Sequence, residues 1–213
     1  MRQLFSLFLV FAVNSIANAS WQNVSTQTPK ESSFQILKSD QKSTVLRFVL
    51  SGYDLDSIQI DGIEYSTLEI PGMVSMDLVG FPSMPQIGKN ILVPFGSRPQ
   101  MHVISQQTMR VVAAPVAPSK GALTRNMDIT RVPFAFGNAY HSTSLFPSEA
   151  ALLNETFQMR DVTGVNLLLR PVQYDFATKE LVVVKEAVIE IENHAPAQAR
   201  IYRQNNPKVD MAF

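Results

Sequence analysis

RPVQYDFATKELVVV, the stretch from Arg170 to Val184, reads as two strands joined by a short polar turn at Asp175-Phe176-Ala177-Thr178-Lys179. Aspartate suits the start of such a turn because its carboxylate accepts hydrogen bonds from backbone N–H groups just downstream. On the approach, Val165, Leu167 and Leu169 fall on one face at period two. Leu168, Val172 and Tyr174 fall on the other, so cover is expected on both faces. On the return strand Leu181, Val183, Ala187, Ile189 and Ile191 share a face that Lys185 interrupts, which predicts a bulge.

Working outward, more strand-like runs flank this hairpin. Ser43 to Leu50 is rich in β-branched and large apolar residues and stops at Ser51-Gly52. Ser57 to Ile60 and Ile63 to Ile70 flank Asp61-Gly62, a favoured two-residue hairpin turn. Gly80-Phe81-Pro82-Ser83-Met84-Pro85 is stiff, since each proline fixes its own φ and biases its predecessor towards β. Strand character resumes at Ile91 to Pro94, Met101 to Val112 and Glu155 to Met159. The one helix candidate is Ser148 to Asn154. From Ala113 to Thr143 prolines and glycines recur without periodicity, and so long a loop in a compact domain is usually functional or disordered. It carries Lys120, Arg125 and Arg131 against one acid, Asp128. Many short strands and almost no helix give an all-β fold, an antiparallel, jelly-roll-like β-sandwich over residues 33–193 with one long central loop. Residues 20–32 read as a flexible leader and 194–213 as a tail or linker.

Composition bounds the function. The chain has 213 residues, 46% hydrophobic and 17% charged, enough apolar content for a core. Met1-Arg2 is a short positive region, Leu4 to Val13 is apolar, and Ala17-Asn18-Ala19 supplies small residues, so residues 1–19 read as a signal peptide cleaved between Ala19 and Ser20. That apolar run is too short to cross roughly 30 Å of hydrocarbon, which leaves no stable membrane anchor after cleavage and a secreted product, periplasmic or extracellular. Cleavage removes Arg2 alone from the 18 basic residues and none of the 18 acidic ones, for a net charge of about −1. Nothing basic enough for nucleic acid is present. The chain has no cysteine, which removes thiol catalysis and thiolate metal sites. No G-x-S-x-G elbow occurs, His102, His141 and His194 are scattered, and Tyr140-His141-Ser142 reads as a surface cluster. Asp54-Leu55-Asp56 opens like a calcium loop, but Ile58 stands where the next oxygen ligand belongs. The expectation is no enzyme, no metal and no cofactor.

Three pieces, in order, resemble the N-terminal propeptide of gingipain-type cysteine peptidases, the C25 family. They are Gly80-Phe81-Pro82-Ser83-Met84-Pro85 leading to Ile91-Leu92-Val93-Pro94, then Tyr140, Ser142 and Leu145-Phe146-Pro147, and last Arg170-Pro171-Val172-Gln173-Tyr174 with Thr178-Lys179-Glu180-Leu181. The resemblance runs from about residue 40 to 193. Met84 stands for the usual leucine, Asp175-Phe176 for Asn-Pro, and Arg160-Asp161 for Arg-Gly. The family's peptidase domain needs a Cys–His pair, which a chain without cysteine cannot hold. The resemblance implies a β-sandwich prodomain that keeps a cysteine peptidase catalytic domain latent, in cis or in trans, and helps it fold. It also implies a basic loop side chain inserted in the substrate pocket. Arg125 is the first candidate, mid-loop and free of neighbouring prolines, with Lys120 and Arg131 as the others. The rival reading is a stand-alone secreted β-sandwich for adhesion or ligand binding, because fold likeness alone does not fix function.

Overall fold

The structure, a computed structural model, describes residues 20–194. The expected signal peptide and all but the first residue of the expected tail lie outside the described residues. In chain order the strands are β1 (Ser20–Asn23), β2 (Ser33–Ser39), β3 (Ser43–Val49), β4 (Gly52–Ile60), β5 (Ile63–Glu69), β6 (Val74–Ser75) and β7 (Pro85–Val93). There follow β8 (Arg98–Val112), β9 (Leu145–Phe146), β10 (Ala151–Met159), β11 (Val162–Leu169), β12 (Val172–Asp175) and β13 (Glu180–His194). A single 3₁₀ turn, Asn138–His141, is the helical content of the described residues.

The strands form antiparallel sheets, as expected for a β-sandwich. One runs β1-β4-β5, a second β10-β11-β7-β6, and the largest β2-β3-β13-β12-β9, with β8 along the opposite edge of β13. One shared core gathers Phe48, Leu50 and Tyr53, Ile91 and Val93, Val165, Leu167 and Leu169, Val172 and Tyr174, and the inward residues of β13. Each such side chain contributes about 1.5–3 kcal/mol on burial. Leu181, Val183, Ala187, Ile189 and Ile191 are all buried, and the pairing with β8 shifts register between Val184 and Glu186, so Lys185 does mark a bulge. Asp61 and Gly62 both take positive φ, 50° and 78°, as a primed hairpin turn requires.

Three expectations need correction. The apolar run through 165–174 is not one strand: it breaks at Arg170-Pro171, and β11 and β12 join different sheets. Proline has no N–H for a ladder. Its carbonyl instead accepts from Val184 N at 2.7 Å, while Arg170 N donates to Ala150 O at 2.8 Å. The face alternation was sound, because a strand that changes sheets at a corner buries different sides before and after it. The helix expected at 148–154 is absent. Ala151, Leu152 and Leu153 pair with Leu169, Leu168 and Leu167 in β10, and long-range pairing overrides a weak local preference of at most two turns. Nor is the stretch 20–32 loose. β1 pairs with β4, the Trp21 ring covers Gly52 so closely that a Cβ there would lie 2.3 Å from it, and the backbone N–H groups of Val24, Ser25 and Thr26 all converge on Ser51 O. That attachment runs through backbone, hydroxyls such as Ser25 on Leu50 O, the Trp21 ring and a lone apolar contact of Val24, so it leaves no apolar periodicity to read.

Candidate functional site

The long loop divides into three parts. Its first limb, Ala113 to Lys120, is a stem sunk into the sandwich: Val116, Ala117 and Ser119 are buried. Bridges join Val116 to Ser66, Pro118 to Pro82 and Ser119 to Val79. Its return limb begins at Gly137, whose N–H donates to Gly80 O at 2.7 Å. Between these limbs residues 121–136 project as an Ω-type loop.

Both limbs are pinned to the same short segment. Gly80 N donates to Ser119 O at 3.2 Å, Ser119 N to Phe81 O at 2.7 Å, and Ser83 N to Ala117 O at 2.9 Å. The contact between Gly80 and Gly137 is backbone on backbone. A Cβ at Gly137 would stand 2.9 Å from Gly80 O, and Gly80 itself has φ +80°. This explains why a Gly-Phe-Pro-Ser-Met-Pro run is wanted here: its extended backbone serves as the rail on which the loop is mounted. Met84, fully buried, fills its place in the core as an apolar residue of similar size.

The other two motif segments brace the same base. Tyr140, in the 3₁₀ turn, donates its hydroxyl to Val116 O at 2.6 Å, tying return limb to entry limb. Burial pushes its phenol well above the usual range. Its ring contacts Phe136 at 5.1 Å and Phe176 at 5.6 Å, and Phe176 meets Tyr174 at 4.8 Å, all edge-to-face. An aromatic chain thus links the hairpin to the root of the loop, and Phe176 adds a contact with Tyr140 and Tyr174 at the position where the related pattern has proline. Tyr174 donates its hydroxyl to Ala113 O at 3.2 Å, and Phe81 stacks on Phe146 at 5.5 Å. Within the turn, Asp175 Oδ1 accepts from Ala177 N and Thr178 N, and Arg110 bridges Asp175 and Glu180 at 3.1 and 2.9 Å. The Arg110 guanidinium first, and then those N–H groups, hold the Asp175 carboxyl below its usual range.

The three basic candidates occupy different settings. Lys120, at the loop's entry, donates to Ile129 O at 2.8 Å and lies 4.2 Å over the Phe134 ring. Arg131 is 87% exposed and pairs with Asp128 at 3.3 Å, three residues back. Asp128 is held in turn by Thr130, whose hydroxyl and N–H both donate to it and lower its pKa. Arg125 sits with Asn126 at the centre of a β-turn closed by Met127 N to Thr124 O at 3.0 Å. It is exposed, and among the described residues its side chain has no hydrogen-bond or ion-pair partner. Asp128 offsets Arg131, so the uncompensated charge of the projecting segment is that of Arg125. Sequence reasoning missed the clamp of Gly80 on Gly137 and the roles of Phe134 and Tyr140. The signal lay in the glycines bounding the loop, but which backbone a glycine admits is not written locally.

Among the described residues no cluster of His, Asp or Glu could hold a metal, and no helix is long and apolar enough to cross a membrane.

Comparison with known proteins places this geometry. The Propeptide_C25 family matches residues 24–208. Gingipain R2 of Porphyromonas gingivalis is 26% identical over 168 residues, covering 76% of this chain and 22% of that protein. Gingipain R1 of the same species is 27% identical over 168 residues, covering 78% and 17%. The chain therefore spans about a fifth of the length of the curated relatives it matches. Two solved structures share the fold. A complex of the pro- and mature domains of RgpB from P. gingivalis has a TM-score of 0.72 at 24% identity, covering 78% of this chain and 87% of that one. Gingipain K of the same species, solved for its zymogenic latency, has a TM-score of 0.67 at 22% identity, covering 83% and 100%.

Proposed function

The chain belongs to the Propeptide_C25 family, a family of propeptides rather than catalytic domains, and from that premise we propose that it is an exported inhibitor and folding aid of a C25 cysteine peptidase. Its partner is the peptidase's catalytic domain, held in cis or in trans. Export follows from the N-terminal pattern, with cleavage after Ala19; intact-mass analysis of secreted protein checks it, and a mature chain still starting at Met1 sinks it. The inhibitory element is the projecting loop, and Arg125 is the residue that enters the substrate pocket. One observation carries that choice: of the three basic candidates, Arg125 alone stands at the centre of a turn with its guanidinium unengaged. Lys120 and Arg131 would first have to abandon partners.

The chemistry fits. A guanidinium entering an acidic, desolvated pocket makes bidentate, charge-assisted hydrogen bonds that an ammonium does not reproduce. Truncating an arginine at the centre of an interface costs roughly 2–4 kcal/mol, or about 30- to 1,000-fold in affinity. Inhibition of a mature C25 peptidase domain by the full chain, titrated for wild type, Arg125→Ala and Arg125→Lys, tests this. Arg125→Ala should weaken inhibition by that factor, with Arg125→Lys in between at an arginine-accepting pocket. An Arg125→Ala protein that inhibits like wild type removes Arg125 from the role, and a wild type that never inhibits removes the inhibitor reading.

A further inference from the structure

We propose that Lys120 is the strap that makes this loop an inhibitor instead of a substrate: a positioning residue that holds Arg125 and is not itself inserted. The inference rests on the inhibitor reading above and adds to it how the loop escapes hydrolysis.

A single side chain joins three points of the loop. Lys120 stands at the entry, its Nζ donates to the Ile129 carbonyl near the middle, and the same ammonium lies over the ring of Phe134 near the exit. The segment so enclosed includes the Thr124–Met127 turn that presents Arg125. Lys120, Leu123, Ile129 and Phe134 line one hollow with Val116 and Leu68, a hollow that Glu69 and Asp77 also border. A compact ammonium suits the task, since its several N–H groups serve a carbonyl while the charge faces a ring. The residue that follows is Gly121 at φ +82°, where a Cβ would lie 2.6 Å from Val79; the chain turns sharply there, directly beside the strap's origin.

A cysteine peptidase engaging Arg125 would attack its carbonyl carbon with a thiolate, expel the Asn126 amine, and pass the acyl group to water. The net change is one peptide bond broken and one water consumed. If both flanks of the scissile bond stay in place, the Asn126 amine remains poised to attack the acyl-enzyme and restore the bond. The strap does this by tying the segment after Arg125, at Ile129 and Phe134, to the segment before it, at Lys120. Ordering the loop before binding also lowers the entropic cost of association.

The experiment uses the full chain with Lys120→Met, Lys120→Arg and Phe134→Leu, set against the mature peptidase domain of Gingipain R2. Three quantities are read: amide exchange of residues 121–133 in the free protein, the inhibition constant, and the rate of cleavage after Arg125 by mass spectrometry. For Lys120→Met the expected result is exchange and cleavage faster by about tenfold and inhibition weakened about tenfold, since both the cation–π contact and the charge-assisted hydrogen bond are lost. Phe134→Leu, which loses the cation–π contact alone, should change each by about two- to fivefold. Lys120→Arg should stay within about twofold of wild type, because it keeps the cation over the ring. The proposal is overturned if exchange and cleavage are unchanged in both Lys120→Met and Phe134→Leu. It is equally overturned if Lys120→Met abolishes inhibition while Phe134→Leu retains it, which would make Lys120 the inserted residue. Exchange in the free protein judges the strap without any peptidase. A wild type that fails to inhibit would therefore sink the inhibitor reading separately.

Discussion

The turn at 176–179 and the loop at 121–136 spring from one corner of the molecule, and they treat charge in opposite ways. In the hairpin both acids flanking the turn are spent on structure: Arg110 spans Asp175 and Glu180, and Asp175 also holds two backbone N–H groups. In the loop Asp128 takes up Arg131 and Lys120 binds across the base, leaving Arg125 facing solvent. The hairpin is a foundation, with Tyr174 fully buried and braced against Ala113, and the loop is what it carries. Damage to the first should therefore appear as lost stability, and damage to the second as lost inhibition in a protein that still folds.

The sharpest way to break that division is Tyr174→Ala. It empties a site of 0% exposure and strips the aromatic chain of its inner member, and large-to-alanine changes of this kind cost about 3–5 kcal/mol. Urea titration of Tyr174→Ala beside Arg125→Ala measures the contrast. Arg125→Ala should fall within about 0.5 kcal/mol of wild type, as exposed substitutions do. Equal destabilisation by the two would mean that the loop is structural too.

Next in size is Gly137→Ala, which attacks the joint between the regions. Its φ of −93° tolerates any residue, so the whole effect comes from a methyl group meeting Gly80 O at 2.9 Å. Opening that backbone contact should cost about 1–3 kcal/mol, as overpacking does. It should weaken inhibition as well, since the return limb would shift. Thermal unfolding together with inhibition titration checks both, and a variant that loses neither shows that the Gly80–Gly137 contact does not hold the loop.

How much of this could be read from the chain follows from what kind of contact makes each part. Apolar alternation in β13 was plain, and so was the bulge at Lys185, because a charge inside a buried face announces itself locally. Asp61-Gly62 was legible because φ > 0 at successive residues selects those residue types. β1 was not, because a four-residue strand, Ser20–Asn23, paired with β4 through its backbone carries no apolar alternation. The break between β11 and β12 was hidden because only Arg170 and Pro171 separate the end of one strand at Leu169 from the start of the next at Val172. At the site, the basic residues could be named from composition, but their ranking could not. That Lys120 and Arg131 have partners while Arg125 has none depends on Phe134, Ile129 and Asp128 coming close, which only the folded loop arranges.

A smaller effect sharpens the account of the hairpin by pH. Asp175 has a folded pKa lowered mainly by Arg110, so its contribution is fully present above the ordinary carboxylate value and is lost as pH falls through the folded one. Stability should thus decline below about pH 4 in the wild type. Asp175→Asn keeps an acceptor for the N–H groups of Ala177 and Thr178 but removes the charge facing Arg110. Its acid-side decline should be shallower than the wild type's in denaturant titrations across that range. An unchanged slope would assign the low-pH loss to other carboxylates, Glu186 beside Arg47 first among them.

The smallest expected change is a gain, and it belongs to neither region. Between β10 and β11 the chain reverses through Arg160-Asp161, with Met159 paired to Val162, and Arg160 has a φ of 54°. A residue with a Cβ is disfavoured in that left-handed region by roughly 1–2 kcal/mol, a penalty that glycine escapes at the cost of about 0.5–1 kcal/mol in chain entropy. Arg160 forms no ion pair among the described residues that could offset the strain, and its carbonyl, which accepts from Gln158 Nε2 at 3.3 Å, belongs to the backbone and survives substitution. Arg160→Gly should therefore stabilise the protein by about 0.5–1 kcal/mol in urea titration, and its inhibition constant should not move. The same change at Lys179, φ 58°, tests the strain argument inside the foundation, where Lys179 N donates to Asp175 O at 2.8 Å. Gains of equal size at both sites would show that left-handed strain alone sets the energy. A gain at Arg160 with a loss at Lys179 would show that the hairpin turn depends on its lysine beyond its backbone.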